Sequence, residues 1–104
     1  DVDVAQLVVQ LFLEDAPEQL QAMTAGLSAQ DSAAVRAAAH ALKGAGANVG
    51  ADQVSALAAE IERQAAADTL IGLATWCDQL AKALASFRQA TEADGAFAEP
   101  EEGP

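Results

Sequence analysis

Residues 70–91 read LIGLATWCDQLAKALASFRQAT, and within them Leu70, Leu73, Cys77, Leu80, Leu84, Phe87 and Thr91 follow one another at alternating steps of three and four. That period places all seven on one side of an α-helix, as a seam suited to a nearly antiparallel bundle partner. Working outward, Val9, Leu13, Ala16, Leu20, Met23 and Leu27 make a second stripe of the same kind within residues 2–29. Pro17 interrupts this stripe; proline removes a backbone donor and crowds the preceding turn. A restart with Asp15 as N-cap and Glu18 in the first turn is one outcome. The unbroken stripe predicts the other, a kinked but nearly continuous helix. Asp31 or Ser32 caps a helix running to about residue 49, and Gly50 suits its left-handed end. A helix over about 52–67 buries Val54, Leu57, Ala58, Ile61 and Ala65, and Asp68-Thr69 is expected to cap the last one. Alanine contributes 28 of the 104 residues and leucine 11, against 13 β-branched residues, so the summed propensity is strongly helical. Strand-like alternation is absent. Short connections make neighbouring helices antiparallel. The expected fold is all-α, an up-down antiparallel four-helix bundle over residues 1–91 with a short N-terminal extension. Residues 92–104, acidic and without a base, are expected to form a disordered tail or linker.

Composition removes several classes of function. Sixteen acids against five bases give a net charge of −11, which disfavours nucleic acid. One cysteine, Cys77, forms no internal disulfide, and with His40 as the sole histidine there is no zinc-ligand cluster. Cys77 is expected to be a small buried hydrophobe, and Trp76 to seal a bundle end. Apolar runs are far too short to span a membrane, and no leader marks export. The first residue is Asp1 and not methionine, as in a segment cut from a longer protein.

Chemistry is concentrated in residues 37–50, AAAHALKGAGANVG. At ~100° per residue, with Val35 at zero, Ala39, Leu42, Gly46 and Val49 lie within roughly 40° of the core direction. His40 lies at roughly 140°, beside Gly44 and Ala47 and flanked by Lys43. The single imidazole therefore faces solvent from mid-helix. The bland alternative is an ordinary surface histidine, with Gly44 and Gly46 serving only close helix packing. Each glycine costs about 1 kcal/mol against alanine in a helix interior, in a chain that uses alanine freely everywhere else. A glycine one turn from the histidine implies that another molecule approaches closely there.

The run His40-Ala41-Leu42-Lys43-Gly44-Ala45-Gly46-Ala47-Asn48-Val49-Gly50 resembles the signature of histidine-containing phosphotransfer (HPt) domains. Phe12 to Leu20 upstream, and Val54, Leu57, Glu60, Ile61 and Glu62 downstream, also fit, so the resemblance covers roughly residues 5–90. It implies a four-helix bundle that carries a phosphoryl group on His40 and relays it between aspartates of response-regulator receiver domains, with those receivers and a histidine kinase, a hybrid sensor kinase among the choices, as partners. It implies a cytoplasmic location, no cofactor in this chain, and Mg2+ on the partner receiver. A monomer is expected. The residue chemistry is compatible with this: imidazole is nucleophilic near neutral pH, and Lys43 can neutralise phosphoryl oxygens. No glycine-rich phosphate loop follows a strand, so there is no nucleotide pocket. In similar domains the position of Glu62 accepts a hydrogen bond from the inner ring nitrogen and leaves the outer one free. Otherwise Glu62 is a solvated charge, paired with Arg63 or Arg88. Glu60 is the structural member of the pair. Val8 and Phe12 lie in a run that is apolar on more than one face, and with Gly44 and Ala47 they form the expected docking surface for a receiver. Alternatively, that second face meets a short N-terminal helix.

Two other functions compete. A helical adaptor or inhibitor would bind a kinase or receiver without being phosphorylated, but such a domain tends to lose its nucleophile, and His40, Lys43 and Gly44 are all present. A purely structural bundle leaves the glycines unexplained.

Overall fold

The Asp3 carboxylate accepts a hydrogen bond from the Ala5 backbone N–H at 3.0 Å and opens the first helix. In the computed structural model, which describes residues 3–93, four helices follow: α1 (Val4–Ser28), α2 (Ser32–Asn48), α3 (Asp52–Ala66) and α4 (Leu73–Ala93). Asp31 caps α2 through the Ala34 N–H at 3.1 Å. The first three helices close alike. Gln30, Gly50 and Asp68 take positive φ of 56°, 76° and 59°. In each case the next N–H reaches back 2.8 Å to a carbonyl five residues earlier: Asp31 to Gly26, Ala51 to Gly46, Thr69 to Gln64. This left-handed closure turns the chain sharply and satisfies carbonyls that the helix end would orphan.

These tight ends make successive helices antiparallel, and the helices pack in chain order with α4 closing back on α1. The protein is an all-α four-helix bundle. Its centre is Met23, Val35, Leu42, Ile61, Leu73 and Leu80, each with less than 2% of its surface exposed. Burial of each contributes about 1.5–3 kcal/mol relative to exposure. Cys77 is free and buried; burial, and secondarily the Asp78 charge, pushes its thiol pKa up. Trp76 packs half-buried against the core.

Three sequence expectations need correction. Asp68-Thr69 does not cap the last helix. Asp68 closes α3 instead, and Gly72, at φ 86°, puts a break before Leu73 that no helix can cross. Leu70 still packs on the core, but from a turn, while Ile71 beside it is 93% exposed. At the other end α1 begins at Val4 directly after its Asp3 cap, so among the described residues no separate turn precedes it. Finally, α4 continues through Glu92 and Ala93, beyond the boundary expected at residue 91; the rest of the expected acidic tail, 94–104, lies outside the described residues.

Pro17 lies inside a continuous α1. Having no N–H, it cannot bond the carbonyl of Leu13 one turn earlier. The Arg88 guanidinium supplies that bond from α4, donating from Nη2 to the Leu13 oxygen at 2.8 Å. Alongside it the Phe12 and Phe87 rings meet edge to face, centroids 5.6 Å apart at 86°.

Candidate functional site

Val35, Ala38, Ala39, Leu42 and Gly46 are the buried residues of α2, which turns His40 to the opposite side with 69% of its side chain exposed. The two glycines near it differ. A Cβ on Gly46 would stand 3.3 Å from both the Ala51 carbonyl oxygen and the Ser55 nitrogen, so Gly46 lets the start of α3 come close. Ser55 then donates its hydroxyl to the Lys43 carbonyl at 2.9 Å and pins α3 against α2. A Cβ on Gly44 would meet nothing within 4 Å. Gly44→Gln is therefore expected to leave stability unchanged or raise it by up to about 1 kcal/mol through helix propensity. Gly46→Val is expected to cost about 1–3 kcal/mol through overpacking against backbone. Urea unfolding of both variants checks the contrast, and equal costs would contradict it.

The register set at Gly46 and Ser55 carries Glu62, two turns along α3, to the side of His40. Glu62 uses both carboxylate oxygens: Oε2 lies 2.8 Å from His40 Nδ1 and Oε1 lies 2.7 Å from Lys43 Nζ. The Lys43 ammonium is the main cause of a Glu62 pKa held below the ordinary 4.5; burial opposes it, and the bond to His40 adds to the lowering. Glu62 is thus ionised at neutral pH and can only accept, so Nδ1 carries a proton toward it, and in the neutral ring the lone pair is on Nε2. Because the Glu62 pKa is lowered in the folded state, its stabilisation is complete above the unfolded value and is lost as pH falls through the folded one. Glu62→Gln is expected to be less stable than wild type at neutral pH, with the difference beginning to shrink as pH falls past the ordinary 4.5 and vanishing only below the lowered folded-state value. Urea unfolding across this range tests it; a difference that persists in acid would point away from the ion pairs.

Gly44 and Ala47 lie exposed on the His40 side of α2, as expected. Val8 is exposed too, in a row with Val4, Leu7 and Leu11 at the start of α1. Phe12 is not part of that exposed row: it is 5% exposed and held in the core by Phe87, because α4 packs on the face of α1 that Phe12 occupies. It contributes only to the floor of a groove between α1 and α2, which Val8, Leu11, Ala45 and Asn48 also line. Lys43, expected to neutralise phosphoryl oxygens, is also the direct partner of Glu62, a pairing the sequence did not indicate. Arg63 pairs with Glu60 and Arg88 binds Leu13, so neither neutralises Glu62. Glu60 also accepts from Gln64, and the hydrogen bond to His40 belongs to Glu62.

Sequence reasoning missed Ser55 and Arg36. Nothing local marks Ser55, whose role depends on how α3 crosses α2. Arg36 carried a usable signal, since four residues before His40 places it on the same helix face. It lines a concavity of about 480 Å³ together with Ala33, Ala37, His40 and Glu62.

The site is an exposed imidazole with one nitrogen held by a carboxylate, mounted on a helical bundle and turned toward solvent. The chain matches the family model of the Hpt domain over residues 7–90, and it belongs to that family. The family's function is histidine phosphotransfer in phosphorelays, with receiver domains and histidine kinases as its typical partners. No curated protein and no solved structure matched the chain. Among the described residues, no helix is long and apolar enough to cross a membrane.

Proposed function

We propose that this chain carries a phosphoryl group on His40 Nε2, accepting it from a receiver-domain aspartyl phosphate and passing it on to another. The observation that supports this most directly is the 2.8 Å bond from Nδ1 to Glu62 on a ring that is otherwise exposed. It selects the tautomer whose outer nitrogen has the lone pair. In the transfer, that lone pair forms the N–P bond as the P–O bond to the donor aspartate breaks, and the bonding electrons leave with the aspartate carboxylate. The Nδ1 proton stays on the ring, where Glu62 offsets the positive charge that develops. Lys43 contributes its positive charge to the site from within its pair with Glu62. The open space over Gly44 admits the donor along the line of attack.

The receiver is expected to dock on Val8 and its exposed apolar neighbours on α1, with Gly44 and Ala47 on α2 completing the surface. Mg2+ is assigned to the receiver, and a monomer of this chain is sufficient for the reaction. Incubation with a phosphorylated receiver tests the reading. Transfer of an acid-labile, alkali-stable label to the wild type supports it, and Gly44→Gln is expected to slow that transfer. Binding of the receiver without transfer would favour the adaptor instead.

A further inference from the structure

Lys43 and Arg36 both belong to the His40 side of α2, yet their circumstances differ. Lys43 Nζ is already 2.7 Å from Glu62 Oε1, so it reaches a new anion only by sharing or leaving that pair. Arg36 forms no ion pair with a carboxylate among the described residues. Glu62 lines the same concavity as Arg36, but His40 and Lys43 have already engaged one oxygen each. In a chain with sixteen acids and five bases, a guanidinium beside the nucleophile has thus been left without an anionic partner.

The shape of the site agrees with this distribution of charge. Helical side chains lean toward the N-terminal end of their helix, so the His40 ring covers the turn before it and not the turn of Lys43. Over the two turns before His40 the concavity is lined by Ala33 and Ala37, whose side chains are single methyl groups. Its volume of about 480 Å³ holds a phosphoryl group and several waters of about 30 Å³ each. Glu62, the His40 ring and Arg36 all line it. A guanidinium offers two parallel N–H donors to two phosphoryl oxygens, which an ammonium cannot match.

We propose that Arg36 is the phosphoryl-binding cation of the phosphorylated state, its guanidinium donating to oxygens on phosphorus when His40 is phosphorylated, while Lys43 remains with Glu62. This rests on the reading of His40 as the phosphoryl acceptor, and the test separates the two. Phosphoramidate is the probe, since it needs no partner protein: the N–P bond to His40 forms as the P–N bond of the reagent breaks and ammonia leaves. The phosphorus resonance of the labelled protein is then followed by NMR from alkaline pH downward. A cation at the phosphoryl oxygens favours the dianion and lowers the titration midpoint.

The Arg36→Ala midpoint is expected to lie above that of wild type by roughly 0.2–0.7 of a pH unit, as for an exposed charge pair. Arg36→Lys should recover part of the difference, and Lys43→Ala should move the midpoint less than Arg36→Ala does. Arg36 is exposed, so these variants are expected to keep the wild-type circular dichroism. Identical midpoints for wild type and Arg36→Ala overturn the role of Arg36 while His40 remains the acceptor. A larger shift from Lys43→Ala overturns it as well. Failure of the wild type to take up phosphorus at His40, judged against His40→Gln, removes both the proposal and the reading beneath it.

Discussion

His40→Gln is expected to abolish phosphoryl acceptance from a phosphorylated receiver while changing unfolding free energy by no more than about 0.5 kcal/mol. Both halves follow from position. The ring is on the face of α2 opposite Val35, Ala39 and Leu42, and 69% of it is exposed, so its loss opens no cavity. Glutamine keeps an N–H donor that can meet Glu62, and it has no nucleophilic nitrogen. His40 is the only imidazole in the chain, so no neighbour can substitute for it. The label is read after alkaline treatment, which phosphohistidine survives and acyl phosphate does not. Alkali-stable label on the variant, or loss of its helical circular dichroism, would contradict the assignment.

What could be read in advance was what is local in the chain. Steps of three and four residues locate helix faces without reference to any partner, so the stripes of α1 and α4 and the outward direction of His40 were visible in the sequence. The end of α2 at Gly50 was equally so, because a left-handed closure has a local chemical signature. What escaped depends on which helix crosses which, and where. Asp68 and Thr69 have the composition of an N-cap, but Asp68 was already committed to closing α3, and Gly72 moved the start of α4 to Leu73. Phe12 carries the same apolar signal as Val8; only the position of Phe87 decides that one is buried and the other exposed.

The two glycines show the same division within a single turn of helix. Their sequence cost is equal; the place of Gly44 one turn from His40 pointed to partner access, whereas nothing in the sequence said what Gly46 packs against. Gly46 answers to packing, because the backbone of Ala51 and Ser55 occupies the space beside it. A Cβ on Gly44 would meet nothing within 4 Å, so packing does not account for it. The link between Lys43 and Glu62 belongs here too. Residues nineteen apart on different helices meet because Gly46 and Ser55 fix the crossing, so the geometry of the candidate site is a consequence of packing one turn away from it.

Arg88→Met is expected to destabilise the bundle by about 1.5–3 kcal/mol, the range for a hydrogen bond to a charged group. Most of that cost should disappear when Pro17 is replaced by alanine. Proline at position 17 leaves the Leu13 carbonyl without its helical donor, and Arg88 Nη2, 75 residues away in sequence, provides the substitute at 2.8 Å. In a Pro17→Ala background the new N–H of residue 17 bonds Leu13 directly, so methionine at 88 then removes a redundant donor while its chain still covers the α1–α4 contact. The double-mutant cycle isolates the link, since the arginine's other losses appear in both backgrounds and cancel. Urea unfolding of the four proteins at one pH and salt concentration measures it, with an expected coupling of at least about 1 kcal/mol. Additive effects of the two substitutions would mean that Arg88 stabilises α4 by some route other than the carbonyl that Pro17 leaves open.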